Sequence, residues 1–252
     1  MDLELAGKKA IVTGGSRGIG KQIARVLAQE GVDVAIAARD PERLEATAAD
    51  LVAETGRTIV PITVDTSDDE SVKRMVEKAA EALGGVDILI NGAATVGGIA
   101  PPPKLAEVTV DAFWADMNVK VMGYLRCAQA VAPYMIEKGW GRIVNISGMA
   151  ARQSGNTIGS MRNVSVAALT KNLADELGEH GINVTVVHPG GTRTERTTPE
   201  AEINLAKNNT VKRAIDALDI ANVVAFLASP KSVAITGDTI AAGGGVGRAI
   251  HY

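Results

Sequence analysis

Short apolar, β-branched runs alternate with longer amphipathic stretches from one end of this chain to the other. The runs fall at 9–12, 32–38, 58–64, 86–90, 142–146, 183–187 and 239–241. Between them, apolar residues recur at helical spacing near 19–37, 41–55, 68–83, 109–138 and 160–180, then over a shorter stretch at 219–228. The first helical stretch must end before Val32, where the second run begins. A strand that is apolar at successive positions has to be covered on both faces, and flanking helices provide the cover. The pattern predicts an α/β fold: one doubly wound domain over residues 1–252, with a parallel sheet of about seven strands and right-handed crossovers. No stretch reads as a linker, repeat or low-complexity tract. Ala-Pro-Pro-Pro at 100–103 reads as a stiff extended loop rather than a domain boundary.

Capping chemistry places several helix starts. Asp40 before Pro41 reads as an N-cap with proline at the first helical position. Ser67-Asp68-Asp69-Glu70 fits a capping box, in which Ser67 and Glu70 satisfy each other's free donors. Ser160, after Gly159, reads as the N-cap of the helix that follows it.

The remaining bulk features exclude whole classes of function. A net charge of −3 with no more than two adjacent basic residues argues against nucleic acid. The longest apolar runs are strand-sized, which argues against a membrane span. The start Met-Asp-Leu-Glu-Leu lacks the basic and apolar regions of a signal peptide. A single cysteine, Cys127, rules out an internal disulfide framework, suits a reducing cytoplasm and reads as a small buried helix residue. His180 and His251 have no metal-like spacing to other ligands, so no metal is expected.

Residues 13–20, Thr-Gly-Gly-Ser-Arg-Gly-Ile-Gly, follow the first strand and open the first helix. Glycines at 14, 18 and 20 let the backbone turn tightly and approach a pyrophosphate, while the helix amino terminus turns free N–H groups and a positive dipole end toward the anion. The spacing Gly-x3-Gly-x-Gly differs from the general dinucleotide fingerprint, Gly-x-Gly-x-x-Gly. In this strand–turn–helix setting it still reads as the nucleotide cradle of a Rossmann-type domain.

With Thr13–Gly20 in place, further motifs make the whole chain resemble the short-chain dehydrogenase/reductase family. The resemblance implies that Gly14, Ser16, Arg17, Gly18, Ile19 and Gly20 hold the nucleotide phosphates. Asp65, with Thr66, stands where the family reads the adenine amino group. Asn91-Gly92-Ala93-Ala94 stands where Asn-Asn-Ala-Gly is usual, so Asn91, Gly92 and Ala93 are expected at the cofactor. The segment 189–194, with Pro189, Gly190, Thr192 and Thr194, fits the loop that contacts the nicotinamide carboxamide. Ile235-Thr236-Gly237 and Gly243-Gly244-Gly245 fit the last strand and its exit. The family also implies a homo-oligomer, a tetramer or a dimer.

The second strand ends Ala37-Ala38-Arg39, where a protein specific for NAD would place a carboxylate against the ribose hydroxyls. An arginine there pairs with a 2′-phosphate, and Arg17 can reach the same group from the turn. Asp40 is the rival acid, but its capping role aims it at backbone donors. Arg17 and Arg39 therefore predict NADP(H) as the cofactor.

The family's chemistry uses a tyrosine, a lysine four residues later, a serine and an asparagine. Counting back from Leu169-Thr170-Lys171 puts the tyrosine position on Gly159 and the lysine position on Asn163. The serine position falls on Gly148, beside Ser147, and the asparagine on Asn118. The loop is about two residues shorter than usual, yet no shift restores the pair, because after Tyr134 the next tyrosine is Tyr252. Asn118, Ser147 and Asn163 are the expected catalytic set, with Asn163 also holding the ribose. Ser160, Arg152 and Arg162 are further groups able to polarise a carbonyl, the two arginines pointing to an anionic substrate. His188 reads as a structural histidine.

Three functions fit this pattern: an oxidoreductase for a small carbonyl or alcohol with an atypical proton donor, a catalytically silent NADP(H)-binding module, or a non-redox enzyme in a retained pocket. The reading adopted is the first. The polar stretch 195–218 reads as the lid that selects the substrate.

Overall fold

The computed structural model describes residues 1–94 and 102–247. The strands are β1 (Lys9–Thr13), β2 (Asp33–Ala38), β3 (Ile59–Thr63), β4 (Ile88–Asn91), β5 (Gly141–Ile146), β6 (Ile182–Pro189), β7 (Thr192–Arg193), β8 (Ile215–Asp216) and β9 (Thr239–Ala242). The helices are α1 (Gly18–Gln29), α2 (Pro41–Thr55), α3 (Asp69–Leu83), α4 (Val110–Met117), α5 (Gly123–Lys138), α6 (Thr157–Leu177), α7 (Pro199–Lys207) and α8 (Ala217–Ala228). Seven strands form one sheet in the order β3-β2-β1-β4-β5-β6-β9, and every ladder in it is parallel. Strands β7 and β8 pair separately. The expected doubly wound sheet is thus present, with the small β7–β8 pair added to it.

Successive strand residues feed opposite faces, which is why the runs are apolar throughout. Ala10, Val12, Val34, Ile36, Ile88, Ile90 and Val144 pack toward α1, α2 and α8. Ile11, Ala35, Ala37, Leu89 and Ile143 pack toward α3, α5 and α6. Pro61 is tolerated because β3 is an edge strand that pairs only with β2. Cys127 is fully buried in the second cluster, where burial pushes its thiol up to about 12.

The sheet runs outward from β1 to β3 and then returns past β1 to β4. This reversal leaves a crevice beyond the carboxyl ends of β1 and β4, where a doubly wound sheet takes its ligand. Behind the crevice, the Asn91 amide donates to Asn145 Oδ1 at 2.9 Å and the Asn145 amide donates to Thr170 Oγ1 at 2.9 Å. The Thr170 hydroxyl in turn donates to the Val166 carbonyl at 2.8 Å. Asn91, Asn145 and Thr170 are all completely buried, so this chain of hydrogen bonds fixes β4, β5 and α6 in one register.

Three local readings change. The N-cap of α3 is Asp68, whose carboxylate accepts from Ser71 N, whereas Ser67 gives both its hydroxyl and its N–H to Asp65. Helix α6 starts under Asn156, which accepts from Gly159 N; Ser160 lies inside it and donates to the Gln153 carbonyl. The helical stretch 109–138 is broken by a π turn, Asn118–Met122, between α4 and α5. The Asp40 cap of α2 forms as expected, accepting from Arg43 N at 3.0 Å. Residues 100 and 101 of the proline loop, His251 and Tyr252 lie outside the described residues.

Asn145→Ala leaves the completely buried Asn91 amide with only its long 3.4 Å bond to the Tyr124 carbonyl and strands the Thr170 acceptor. The expected loss is about 1–3 kcal/mol for each stranded group, read from the urea midpoint at unchanged m-value.

Candidate active site

The glycine turn is locked by contacts that leave no room for side chains. The Thr13 hydroxyl accepts from Gly92 N at 3.1 Å and Ala93 N at 3.2 Å, tying the end of β1 to the exit of β4. Gly14 has φ +72°, and a Cβ there would lie 2.7 Å from the Gly92 carbonyl oxygen. A Cβ on Gly20 would overlap the Gly14 carbonyl oxygen. The amino end of α1 is therefore presented as bare backbone to a cavity of about 1030 Å³. Arg17, its N-cap, makes no side-chain cap. Instead the Glu195 carboxylate accepts from Gly18 N, at 3.1 and 3.2 Å for its two oxygens, as an anion does at a helix amino terminus.

One end of the cavity is basic. Arg17 on the turn, Arg39 beyond β2 and Arg43 on α2 all line it, along with Asp65. Asp40 is held by the α2 cap and by an ion pair with Arg43 at 3.2 Å. Hydrogen bonds from the Ser67 hydroxyl and N–H, and then the charge of Arg39, hold the Asp65 carboxyl below its usual range.

The opposite end lies over β5, β6 and α6 and is lined by Lys120, Ser147, Gly148, Arg162 and Asn163, with Pro189 to Gly191 beside them. Ser147 Oγ donates to the Asn163 carbonyl at 3.2 Å. Arg162 is paired with Asp116 at 2.7 Å and donates to Asn163 Oδ1 at 3.2 Å. The Lys120 amine donates to the Ser147 carbonyl at 3.1 Å from a side chain that is 3% exposed. Burial, then the Arg162 charge, brings its pKa down to about 7, against a smaller opposing effect from Asp116.

Two neighbours of this end are not proton donors to it. His188 is buried behind Gly148, whose N–H it accepts at 3.3 Å through Nδ1. Burial and the charges of Arg152 and Lys120 lower its pKa to about 4, leaving a neutral imidazole. Tyr124 is fully buried, gives its hydroxyl to the Ile146 carbonyl at 2.8 Å, and has its pKa driven upward by burial.

The cavity gathers nearly all the residues that the sequence singled out. Of those expected to hold the nucleotide, Asn91 and Thr192 do not line it: Asn91 is taken up by the buried chain to Asn145, and Thr192 Oγ1 donates to the Gly190 carbonyl. Of the catalytic set, Ser147 and Asn163 line the cavity and Asn118 does not. The Asn118 amide donates to the Ser67 carbonyl at 3.4 Å and the Asn118 carbonyl accepts from Arg126 at 3.2 Å, while the π turn carries Lys120 to the cavity. Arg152 donates to the Thr239 carbonyl and is also outside the lining. The sequence reading missed Lys120, Arg43 and Glu195. The signal for Lys120 was available: it lies four residues after Asp116 and four before Tyr124, amid apolar neighbours, which places a lone cation on an inward helix face. Among the described residues no cluster of histidine, cysteine and carboxylate side chains could hold a metal, and no helix is long and apolar enough to cross a membrane.

The family model for short chain dehydrogenase matches residues 8–204. An uncharacterized oxidoreductase of Mycobacterium tuberculosis is 38% identical over 242 residues, covering 94% of this chain and 96% of the relative. A 3-oxoacyl-[acyl-carrier-protein] reductase of Staphylococcus epidermidis is 34% identical, covering 95% and 98%. Among solved structures, L-sorbose reductase from Gluconobacter frateurii, complexed with NADPH and L-sorbose, superposes with a TM-score of 0.91 at 26% identity, covering 99% and 100%. A short chain dehydrogenase from Burkholderia cenocepacia in complex with NADP gives 0.84 at 35% identity, covering 96% and 98%.

Lys120 makes stability depend on pH. Its folded pKa of about 7 lies below its ordinary 10.5, so between those values the unfolded chain binds more protons. Stability therefore rises with pH across that window and is flat, for this group, below it. Lys120→Met removes the rise and makes the protein more stable than the wild type near pH 7, where burial disfavours the ammonium. Urea titrations of both proteins at pH 6, 7.5 and 9 check this.

Proposed function

The chain belongs to the short-chain dehydrogenase family, and on that premise we propose that it is an NADP(H)-dependent oxidoreductase acting on a small carbonyl or alcohol. The single observation that carries the cofactor assignment is the basic end of the cavity. Arg17, Arg39 and Arg43 line it, and of the two acids there Asp40 is engaged by its own helix and Asp65 by the Ser67 hydroxyl and N–H. Three guanidinium groups suit a 2′-phosphate and offer nothing to a bare diol. The complexes of the sorbose reductase with NADPH and of the Burkholderia protein with NADP support the same choice.

The fit extends along the cavity. Bare backbone at Gly14, Gly18 and Gly20, with the amino end of α1, would hold the pyrophosphate. Asp65 would accept from the adenine amino group. Pro189 and Gly190 border the far end, where the nicotinamide would lie over Ser147 and Asn163, while Thr194 lies beside Gly18 at the glycine turn. Bound there in reduced form, the nicotinamide supplies a hydride. The chain's own residues orient the carbonyl and manage its proton.

Gly159 and Asn163 are taken to stand where relatives carry their tyrosine and lysine. Both lie on α6 one turn apart, and Asn163 reaches the cavity with a neutral amide that can bond a ribose hydroxyl. A glycine has no proton to give, so reduction by this protein uses another donor. The substrate is a small polar carbonyl compound, the class to which a keto sugar and a 3-oxoacyl group both belong.

Nicotinamide fluorescence titration with NADPH and NADH, followed by absorbance assays on L-sorbose, a 3-oxoacyl thioester and simple ketones, tests this reading. Tighter binding of NADPH and consumption of it by at least one carbonyl are expected. Tighter binding of NADH removes the cofactor assignment. Binding of NADPH without turnover leaves a cofactor-binding module. Arg39→Asp should weaken NADPH by about 10–100-fold, the worth of one charge-assisted pair of 1.5–3 kcal/mol, and leave NADH no weaker.

A further inference from the structure

Reduction of a carbonyl requires a proton at the end of the cavity remote from Arg39, and among the described residues few groups there can give one. Ser147 is a hydroxyl already directed at the Asn163 carbonyl. Arg162 stays charged in its pair with Asp116. Asn163 and the nearby Gln153 and Asn156 are amides, without an acidic proton. His188 and Tyr124 lie behind the wall, each tied to the backbone. Lys120 remains. It lines the cavity, is almost completely buried, and has one protein acceptor, the Ser147 carbonyl, among the described residues.

Its placement is built into the helix. The π turn Asn118–Met122 inserts extra backbone between α4 and α5 and carries Lys120 at its middle. Thr66 stabilises the turn by donating its hydroxyl to the Val119 carbonyl at 3.0 Å. Gly123, just after it, lets Thr66 approach so closely that a Cβ there would lie 2.9 Å from it. An amine is thereby held beside Ser147 and Asn163 from a different helix than the one on which relatives carry their catalytic pair.

We propose that Lys120 is the proton donor for carbonyl reduction, resting on the oxidoreductase reading above. The carbonyl carbon receives a hydride, with both its electrons, from the reduced nicotinamide. The Lys120 N–H bond breaks as an O–H bond forms on the carbonyl oxygen, leaving a neutral amine. Water entering by the cavity mouth returns the proton, so the sum is carbonyl, NADPH and one proton giving alcohol and NADP⁺. In alcohol oxidation the neutral amine takes the hydroxyl proton. A pKa near neutrality lets one group serve in both directions. The charged and titratable groups around it are Arg162, which favours the amine, Asp116, which favours the ammonium, the neutral His188, and the Tyr124 ring 5.9 Å away.

The test uses the full chain and has a readout independent of turnover. In protein labelled with ¹³C at lysine Cε, one resonance should titrate near pH 7, move on addition of NADP⁺, and be missing from Lys120→Met. If no resonance titrates below pH 9, or none responds to NADP⁺, the proposal fails. With a carbonyl that the wild-type protein reduces, kcat should fall above about pH 7 as the ammonium is lost. Lys120→Met should lower kcat by about 10²–10⁴-fold while changing the NADPH Kd less than threefold, and Lys120→His should restore part of it with the profile moved to lower pH. Full kcat in Lys120→Met, or a loss confined to NADPH affinity, overturns the assignment and leaves the oxidoreductase reading standing. A wild-type protein that reduces no carbonyl removes both.

Discussion

The structure depends on backbone meeting backbone without side chains between. Gly14 sits against Gly92, and Gly20 against Gly14, at distances that forbid even a methyl group. Those approaches let β1, α1 and the exit of β4 share one corner. The Thr13 hydroxyl then fastens that corner through the N–H groups of Gly92 and Ala93. Because the corner is also where the sheet reverses its strand order, the same constraint that closes the fold opens the cavity.

The architecture was legible because it rests on periodicity. Strands such as β1 and β2 divide their apolar residues between two faces, and nothing but a sheet covered on both sides accommodates that. Helix starts were less legible, for a local reason. Around α3 three acceptors compete, and Asp68 wins the cap because Ser67 is drawn back to Asp65. At α6 the Asn156 side chain reaches Gly159 N before Ser160 can act as a cap. The π turn could not be read at all, since an inserted residue changes neither composition nor mean periodicity enough to register. Its effect is to replace Asn118 by Lys120 at the cavity.

The same details limit what side chains positions 148 and 159 can carry. A Cβ at Gly159 would lie 2.7 Å from the Asn156 side chain, the group that caps α6. A tyrosine there would have to displace the cap that sets where the helix begins. A side chain at Gly148 would press on the Asn163 amide at 3.0 Å. Loop and helix are thus fitted to small residues at these positions, and a buried amine reaches the cavity from the neighbouring π turn.

Glu195 gives the cavity mouth a resident of its own. Its carboxylate lies on Gly18 N, at the spot suited to a pyrophosphate, and it belongs to the segment between β7 and α7. A phosphorylated ligand arriving there has to evict one anion to seat another. Two anions thus draw on one backbone donor, and the helix amino end holds a carboxylate of its own chain where a phosphate would sit.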